Sequence, residues 1–570
     1  MSTKSIYVQR PWVKHYPSSV PKKMEIPEKT LIEAFDKSTE KWGSRTAVIF
    51  YGRKISYREL RDSVDRFASA LAHLGIKKGE RIGFLLLNSP EHIIAFYGAI
   101  KAGAIITPIS PVYVSSEIKQ QLEDSGATSV ICQDMLYDVL VKTGVNLKKV
   151  ILTNITESLP RMKSFFGKSL LRGVYQKMAA PSLEIIRQEG LYRFQELIQD
   201  HRPDPPAIEI DPKNDPISLP YTSGTSGAPK GVMITHYNMI ADEAQYQAFN
   251  TFFKDGEDTL IGYMPFYHAA GQFTALISGI LRGATIIIIT NPDLDDILTA
   301  ISKYNVTMFG GTPAIFEALK DYEKTDRVKW KKLKCIISGA DALHEATAKG
   351  WKKKTGVSLH DLYGMTELTC ISHMTPLGKG KTGSVGIPFP STLAAILDPD
   401  KDEFVPLGEL GEIVISGPQV TKGYWNNPDA TRECESIISG IRWWRTGDLG
   451  KMDEDGYFYF YDRKRDLIKY KGLRVYAREV EEVIKSHPGV KEVGVIGVKD
   501  IKVGENVNAF VVLEADARGK VSEQDITEYC HDKLAHYKIP KVVEFLGELP
   551  KTDVGKVSRR ELREEEIDID

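Results

Sequence analysis

The sequence predicts an α/β fold with mainly parallel sheets flanked by helices, followed by a small C-terminal domain. Apolar runs such as Ile82–Leu87 and Ser129–Cys132 alternate with helical segments such as Glu91–Lys101, and this alternation is typical of parallel sheets. The chain has 570 residues, which is too long for one hydrophobic core. After Tyr461 an aromatic strand-like run changes abruptly into a charged turn, which indicates a domain boundary.

Further predicted helices and strands continue this alternation along the chain. The apolar spacing of Thr30–Phe35 predicts a first helix, and Thr285–Ile289 and Cys335–Ile337 are later candidates for buried strands. Leu473–Val483 is interpreted as a turn that enters an amphipathic helix. In open parallel sheets ligands bind at the carboxyl ends of strands, so we expect the functional motifs in the loops.

The composition argues against several classes of function. The formal net charge is −1 and the charged residues are spread along the chain, so no nucleic-acid surface is predicted. The five cysteines are isolated and show no C-x-x-C spacing, which indicates a reducing compartment and no metal cluster. Met1–Tyr7 runs into charged sequence without an apolar core, so no secretory signal is predicted. We therefore expect a cytoplasmic protein.

Two segments bear on membrane contact. Thr259–Leu281 has no charged residue, but its proline, histidine and glycines favour a strand, a loop and a buried helix over a membrane span. Ser158–Pro181 is basic and amphipathic and has no acidic residue. Such a segment can lie on an anionic membrane, here the inner face; a solvated surface helix or insertion is the alternative, and both stay open.

The run Tyr221–Val232 predicts a phosphate-binding loop. Glycines let backbone N–H groups approach an anion, hydroxyls add donors, and Lys230 adds a positive charge. The P-loop template fails because Lys230 lies between Pro229 and Gly231. A flexible linker is the alternative, although a linker has no reason to end in Lys-Gly before an apolar segment. The candidate ligands are Thr222, Ser223, Gly224, Thr225, Ser226, Gly227 and Lys230.

This run resembles the phosphate-binding signature of the adenylate-forming superfamily of acyl-CoA synthetases, peptide-synthetase adenylation domains and beetle luciferases. Later motifs follow in that family's order along nearly the whole chain. The aromatic opening Arg10–Pro17 and the basic segment Ser158–Pro181 resemble long-chain fatty-acid–CoA ligases more narrowly. The resemblance implies a large multi-subdomain N-terminal region with a small barrel-like part, and a small mobile α+β C-terminal domain.

The resemblance also implies a set of nucleotide contacts. It assigns an adenine-binding role to Gly339, Ala340 and Asp341, and a stacking role to Tyr363, which precedes Gly364 and Met365. Thr366 would hold phosphate, and Glu367 would bind Mg²⁺ together with Thr225. Asp448 would bind the ribose hydroxyls beside Arg463, an Asx-type turn being the alternative. An aromatic face suits a base, and a carboxylate suits a hard divalent cation.

Two further motifs concern the acyl substrate and the chemistry. By resemblance, Tyr267 and His268 border the carboxylate pocket, and the absence of an aspartate from Phe266 to Gly271 disfavours an amino-acid substrate. The small residues Gly271, Gly310 and Gly311 leave room for an aliphatic tail, unless they serve backbone turns. Lys556 matches the family's catalytic lysine, whose ammonium can neutralise both a carboxylate and the α-phosphate. A surface lysine in a basic turn is the alternative.

The remaining motif predicts how the domains divide. Asp462 matches the family's hinge residue, so the expected units are an N-terminal adenylation domain over 1–461, a hinge at 462 and a C-terminal domain over 463–570. Lys471 and Gly472 lie in the segment that faces coenzyme A during thioester formation in the family. The rotation of one domain against the other is likewise an expectation from the family.

These motifs together predict an ATP-dependent acyl-CoA synthetase that activates a medium- to long-chain fatty acid with ATP, Mg²⁺ and coenzyme A. The catalytic set is Lys556, Thr366, Glu367 and His268. A ligase for a short, hydroxy- or aryl-carboxylic acid, a luciferase-like oxygenase and a non-catalytic nucleotide sensor are the alternatives. The sequence leaves the oligomeric state open, a homodimer included.

Overall fold

The computed structural model describes residues 6–159, 189–222, 229–341, 343–471, 473–500, 502–552 and 556–567. Most of the basic segment Ser158–Pro181, the centre of the phosphate loop (Ser223–Gly227) and Gly472 lie outside the described residues.

A nine-stranded sheet forms the centre of the molecule. Its inner strands are parallel and its outermost pairs are antiparallel. The strands in order across the sheet are Ile387–Pro388, His373–Met374, His360–Tyr363, Cys335–Ser338, Met308–Gly311, Thr259–Gly262, Thr285–Ile288, Thr46–Phe50 and Arg53–Ser56.

A second, seven-stranded sheet is parallel except for one edge pair. Its strands in order are Ile234–Thr235, Pro216–Ser218, Ile105–Pro108, Arg81–Leu85, Ser129–Gln133, Lys149–Thr153 and Leu191–Arg193. One continuous apolar core includes buried residues of both sheets, among them Phe84 and Ile286, so the two sheets pack as one body.

The remaining sheets are antiparallel or mixed. A five-stranded antiparallel sheet forms the part predicted as barrel-like, with strands Leu393–Leu397, Gly411–Ser416, Glu435–Ile438, Ile441–Met452 and Phe458–Arg463. The C-terminal sheet contains Leu467–Tyr470, Leu473–Tyr476, Val490–Asp500, Gly504–Leu513 and Val542–Phe545, the last of them parallel to its neighbour. A hairpin joins Tyr221–Thr222 to Lys230–Gly231. The predicted fold class is confirmed.

Helices cover the sheets. The α-helices are Ile6–Gln9, Leu31–Lys41, Tyr57–His73, Pro90–Lys101, Ser115–Ser125, Tyr137–Val141, Phe194–Asp200, His236–Phe249, Ala269–Gly271, Leu294–Lys303, Pro313–Asp321, Glu345–Thr355, Pro428–Glu433, Ala477–Lys485, Glu523–His531 and Arg559–Ile567. A π-helix spans Gln272–Gly279, and 3₁₀ turns span Pro11–His15, Asp134–Leu136, Glu323–Arg327, Trp330–Lys332, Thr366–Leu368, Lys464–Asp466 and His536–Lys538.

Local sequence explains where several elements begin. Thr30 starts the helix Leu31–Lys41 with a capping box, because its hydroxyl accepts from Glu33 N at 3.1 Å and Glu33 Oε2 accepts from Thr30 N at 2.6 Å. The segment Thr259–Leu281 contains a strand, a loop and helical turns, as predicted. Leu473–Tyr476, interpreted as a turn, is instead a strand paired with Leu467–Tyr470. Among the described residues, no helix is both long and apolar enough to cross a membrane.

The chain passes from one sheet to the next close to the predicted hinge. Asp462 and Arg463 still belong to the strand Phe458–Arg463, and the turn Lys464–Asp466 leads into the C-terminal sheet at Leu467. The division at Asp462 stays a prediction.

Candidate functional site

Loops after neighbouring parallel strands bring the predicted adenine motifs together. Gly339–Asp341 follows the strand Cys335–Ser338, and Tyr363 ends the adjacent strand His360–Tyr363. Ala340 adopts a left-handed backbone with a φ of 67°, which is unfavourable for a residue with a side chain. Such strain is concentrated at binding sites, and this loop lies at the edge of the sheet where ligands bind in α/β folds.

The predicted ribose carboxylate lies against the predicted adenine ring. The Tyr363 hydroxyl donates to Asp448 Oδ2 at 2.8 Å, and Arg463 Nε lies 3.4 Å from Asp448 Oδ1. Asp448 and Arg463 face each other across two antiparallel strands. Burial, and then the charge of Asp448, raise the pKa of Tyr363 well above its usual value, so the phenol stays protonated and can donate. Three motifs distant in sequence therefore form one cluster.

Glu367 is held in a buried turn on the phosphate side of this cluster. The Tyr424 hydroxyl donates to Glu367 Oε1 at 2.8 Å, and Thr421 N donates to Glu367 O at 2.8 Å. Burial raises the pKa of Glu367, and the Tyr424 hydroxyl lowers it. Lys230 Nζ lies 5.2 Å from the centre of the Tyr424 ring, so Tyr424 contacts both the predicted metal ligand and the predicted phosphate lysine. Sequence reasoning did not identify Tyr424.

The two ends of the phosphate loop are described. Thr222 lies opposite Lys230 in the hairpin that closes the loop. The Thr222 hydroxyl is buried and has no hydrogen-bond partner within the described part of the chain. Since a buried hydroxyl without a partner is unfavourable, this oxygen fits the role of a ligand donor that the sequence predicts.

The C-terminal domain brings Lys556 to the same cluster. Lys556 lies in a turn in which Thr552 N donates to Lys556 O at 2.7 Å. Burial lowers the pKa of Lys556, the carboxylates of Asp341 and Asp448 raise it, and the guanidinium of Arg463 lowers it. A lysine from the last fifth of the chain therefore shares the electrostatic environment of the predicted adenine and ribose ligands.

Polar contacts and ion pairs link the C-terminal domain to the rest of the chain. His344 Nδ1 lies 3.0 Å from Glu482 Oε1, Lys485 Nζ lies 3.3 Å from Glu317 Oε1, and Arg474 Nη2 lies 3.0 Å from Asp400 Oδ2. Partly exposed pairs of this kind contribute about 0–1 kcal/mol each. Such contacts position the C-terminal domain and are weak enough to be exchanged.

The predicted carboxylate pocket is fixed by a residue that sequence reasoning missed. Asn88 Nδ2 donates to Met264 O at 2.9 Å, and Asn88 Oδ1 accepts from Phe266 N at 2.8 Å. These bonds hold the loop that leads to Tyr267 and His268, both half-buried. His268 Nδ1 accepts from Ala270 N at 3.3 Å. The signal was available, because Asn88 is a polar residue that directly follows the apolar run Ile82–Leu87.

An apolar cavity lies beside this loop, and Met264 belongs to both. It is lined by Tyr246, Phe253, Leu260, Ile261, Met264, Thr274, Ala275, Ser278, Met308, Gly310 and Ile337. A Cβ on Gly310 would meet only Met264 Cε, at 3.8 Å, whereas one on Gly311 would lie 2.5 Å from Ile315 Cγ2. A Cβ on Gly271 would lie 2.1 Å from Pro265 O. Among the three glycines of the predicted acyl pocket, Gly310 is the one that faces open space.

Family models match both parts of the chain. The model described as AMP-binding enzyme matches residues 35–425, and the model of the AMP-binding enzyme C-terminal domain matches residues 479–556. The chain belongs to the AMP-binding enzymes. This AMP-binding enzyme is 35% identical over 564 residues to the long-chain-fatty-acid–CoA ligase of Bacillus subtilis (strain 168), covering 98% of this chain and 99% of the relative.

Solved structures resemble this AMP-binding enzyme over almost its full length. ATP-bound MatB from Rhodopseudomonas palustris superposes with a TM-score of 0.82 at 27% identity, covering 95% of this chain and 100% of that one. The anthranilate CoA ligase AuaEII in complex with anthranoyl-AMP superposes with a TM-score of 0.81 at 25% identity, covering 95% and 99%.

The predicted hinge of this AMP-binding enzyme is tied to its C-terminal helix. Asp462 is 1% exposed, and Arg559 Nη1 lies 3.2 Å from Asp462 Oδ1. The same guanidinium lies 3.1 Å from Asp466 Oδ2 and 2.7 Å from Glu481 Oε2. Burial raises the pKa of Asp462, and the charge of Arg559 lowers it. Arg559 therefore neutralises carboxylates on three elements. Sequence reasoning did not foresee this role, because Arg559 lies far along the chain from all three carboxylates.

We expect Arg559→Leu to lower the free energy of unfolding of the C-terminal part by about 3–5 kcal/mol, because it leaves buried carboxylates without their cation. Arg563→Leu is the matched control, since Arg563 pairs with Asp466, at 2.8 Å, and with no other acid among the described residues; it should cost about 1 kcal/mol or less. Urea unfolding followed by circular dichroism and by proteolysis of the C-terminal part measures both. Equal losses for the two variants would contradict the assignment.

Of the two residues predicted beside coenzyme A, the structure describes Lys471. Lys471 is exposed, has a φ of 49°, and ends the hairpin between Leu467–Tyr470 and Leu473–Tyr476, where Lys471 N donates to Val503 O at 2.6 Å. Its predicted role beside coenzyme A stays a prediction.

Proposed function

We propose that this AMP-binding enzyme is an acyl-CoA ligase that activates a medium- or long-chain fatty acid as its adenylate and transfers the acyl group to coenzyme A. The observation that carries the proposal is the cluster in which Tyr363 and Arg463 meet Asp448, at 2.8 Å and 3.4 Å. The curated relative named long-chain-fatty-acid–CoA ligase and the apolar cavity lined by Met264 and Gly310 support an aliphatic substrate.

In the first half-reaction a carboxylate oxygen of the fatty acid attacks the α-phosphorus of ATP. The bond to the bridging oxygen breaks, and its electron pair leaves with pyrophosphate. Asp448 accepts hydrogen bonds from the ribose hydroxyls, and Tyr363 offers its ring to the adenine, so the α-phosphate is held in place. The Lys556 ammonium then offsets the charge of the attacking carboxylate and of the phosphate oxygens.

The residues of the phosphate side fit a bound Mg²⁺. Glu367 supplies one buried carboxylate, and Mg²⁺ in nucleotide sites is held by one or two carboxylates together with substrate phosphates. Thr225 of the phosphate loop is the second proposed ligand, and Thr366 a further phosphate contact. When bound, the ion neutralises charge on the phosphates of the leaving group.

In the second half-reaction the thiolate of coenzyme A attacks the acyl carbonyl, and the bond to the phosphate oxygen breaks to release AMP. Lys556 occupies the side of the adenylate from which the thiol must come, so the C-terminal domain has to turn. We place this turn at Asp462, between a domain over 1–461 and a domain over 463–570, with Lys471 and Gly472 moving toward the acyl carbonyl.

An aryl or short acid is the second candidate substrate. The solved structures with similar folds include an anthranilate CoA ligase, and a shared fold does not fix the acyl group. A nucleotide sensor is disfavoured, because a sensor needs neither Glu367 nor Lys556.

The test is AMP formation from Mg-ATP, coenzyme A and saturated acids from acetate to hexadecanoate. A long-chain optimum that requires coenzyme A supports the proposal, and an optimum at short or aromatic acids contradicts the acyl assignment. Uptake of oxygen with light emission would favour the luciferase-like alternative.

We expect Gly310→Leu to move this optimum toward shorter acids. A leucine side chain at this position enters the cavity and meets the distal part of a long chain, at a cost of about 1–3 kcal/mol, or about 5- to 150-fold in kcat/KM for the longest acids. Gly547→Leu is the control, since a Cβ there meets no atom within 4 Å and Gly547 does not line the cavity. A uniform loss across all chain lengths for Gly310→Leu would contradict the position of the tail.

A further inference from the structure

A short segment of the chain, Thr421–Trp425, connects the two parts of the phosphate side. At its start, Thr421 N donates to Glu367 O at 2.8 Å, in the turn that carries the predicted metal ligand. At its end, Trp425 N donates to Gly231 O at 2.7 Å, in the hairpin that closes the phosphate loop. Backbone hydrogen bonds therefore link the turn to the hairpin through this segment.

The side chain of Tyr424, in the same segment, contacts both parts at once. Its hydroxyl donates to Glu367 Oε1 at 2.8 Å. Its ring centre lies 5.2 Å from Lys230 Nζ, which is within the range of a cation–π interaction. Glu367 is 5% exposed, Tyr424 6% and Lys230 8%, and polar contacts in such a buried site are stronger than in water.

Tyr424 is itself held by its neighbours. Tyr424 N donates to Thr431 Oγ1 at 2.9 Å, and its backbone pairs with Val232 in an antiparallel bridge. Its ring packs against the fully buried ring of Trp444, with the two centres 5.6 Å apart. A side chain whose position is fixed by packing and hydrogen bonds can fix the groups that it contacts in turn.

The two groups that Tyr424 contacts would act on the same part of ATP. Glu367 is the proposed ligand of Mg²⁺, and Lys230 the proposed contact of the phosphates. A carboxylate has enough lone pairs to accept a hydrogen bond and to bind a cation as well. Side chains that orient a metal ligand in this way typically change metal affinity by about 10- to 100-fold when they are removed.

We propose that Tyr424 is a positioning residue that orients Glu367 toward Mg²⁺ and holds Lys230 beside the phosphates of ATP. This inference rests on the proposed function and adds a residue to its phosphate side. The hydroxyl acts through Glu367, so it affects the binding of ATP that carries Mg²⁺. The ring acts through Lys230, so it affects the binding of ATP with or without the ion. One side chain therefore has two effects that can be separated.

The experiment measures ATP binding by isothermal titration calorimetry, once with EDTA and once with excess Mg²⁺, without acid or coenzyme A. Tyr424→Phe keeps the ring, so it should weaken binding of Mg-ATP by about tenfold or more and change binding of metal-free ATP by less than about twofold. Tyr424→Leu removes the ring as well, so it should also weaken binding of metal-free ATP, by about threefold or more.

A double-mutant cycle tests whether the hydroxyl acts through Glu367. In the Glu367→Gln protein, Tyr424→Phe should change Mg-ATP affinity by less than about twofold, because the carboxylate that the hydroxyl orients is absent. Tyr16→Phe is the matched control, since Tyr16 is 7% exposed and its hydroxyl donates to a backbone oxygen, Pro388 O, at 2.7 Å. This variant should keep both ATP affinities of the unchanged protein.

Three results would overturn the inference. The first is an unchanged Mg-ATP affinity in Tyr424→Phe, and the second is an equal loss with and without Mg²⁺, which a merely structural role predicts. The third is that the losses from Tyr424→Phe and Glu367→Gln simply add. If Mg-ATP binding follows the expected pattern but no acid gives AMP, the proposed function is contradicted and the role of Tyr424 stands.

Discussion

Lys556→Ala should slow formation of the acyl-adenylate by about 10²- to 10³-fold, because the variant lacks the cation that offsets charge on the carboxylate and the α-phosphate. Burial lowers the pKa of this lysine, and the neighbouring carboxylates of Asp341 and Asp448 raise it. The carboxylates therefore favour the charged form of the lysine against the effect of burial. Acid-dependent exchange of labelled pyrophosphate into ATP measures this half-reaction alone.

The second half-reaction separates a catalytic role from a structural one. When chemically prepared acyl-adenylate and coenzyme A are supplied, Lys556→Ala should form acyl-CoA at nearly the rate of the unchanged protein. Lys551→Ala is the control, because Lys551 belongs to the same turn but pairs with Glu492 at 2.9 Å. If Lys556→Ala slowed both half-reactions equally, or if Lys551→Ala slowed adenylate formation as much as Lys556→Ala does, the catalytic assignment would be wrong.

Asp448→Ala should lower kcat/KM for ATP by about 10²- to 10³-fold. The substitution removes the acceptor of the ribose hydroxyls, and hydrogen bonds to a charged group are worth about 1.5–3 kcal/mol each. It also leaves the buried Tyr363 hydroxyl without its acceptor at 2.8 Å. Steady-state kinetics with varied ATP measures the loss.

Nucleotide analogues and a second variant make this prediction specific. Tyr363→Phe keeps the ring and removes only the donor to Asp448, so its loss should stay below about tenfold. The unchanged protein should discriminate strongly against 2′- and 3′-deoxy-ATP, whereas Asp448→Ala should use them about as well as ATP. Persistent discrimination in Asp448→Ala would place the ribose elsewhere.

The sequence predicted the parts of the fold that depend on local pattern. The strands near Ile82, Ser129 and Cys335 and the helices that begin near Thr30 and Glu91 lie within one or two residues of the predicted positions. Leu473–Tyr476 was missed as a strand because its pairing with Leu467–Tyr470 depends on a tight turn at Lys471, where a non-glycine residue adopts a positive φ.

For the site, the order of the family's motifs along the chain predicted the candidate residues. The fold then determined which of these residues lie close together. Tyr363, Asp448, Arg463 and Lys556 come together although they lie far apart in sequence. Asn88, Tyr424 and Arg559 were not predicted, since each acts through a partner on a distant element. The residue type alone could not distinguish the three glycines of the predicted acyl pocket. Gly310 faces open space in the cavity, whereas neighbouring atoms exclude a side chain at Gly271 and Gly311.

Asn88 has a practical consequence for building hybrids with related enzymes. Asn88 lies three residues after a strand of the seven-stranded sheet, Arg81–Leu85. Its side chain nevertheless binds the loop Met264–Phe266, and its backbone carbonyl accepts from Thr290 Oγ1 at 2.8 Å. A crossover between Asn88 and Met264 would combine an asparagine from one parent with a loop from the other. Exchanged segments should therefore include both Asn88 and the loop Met264–Phe266. The recombined protein then keeps the hydrogen bonds that position the loop before His268.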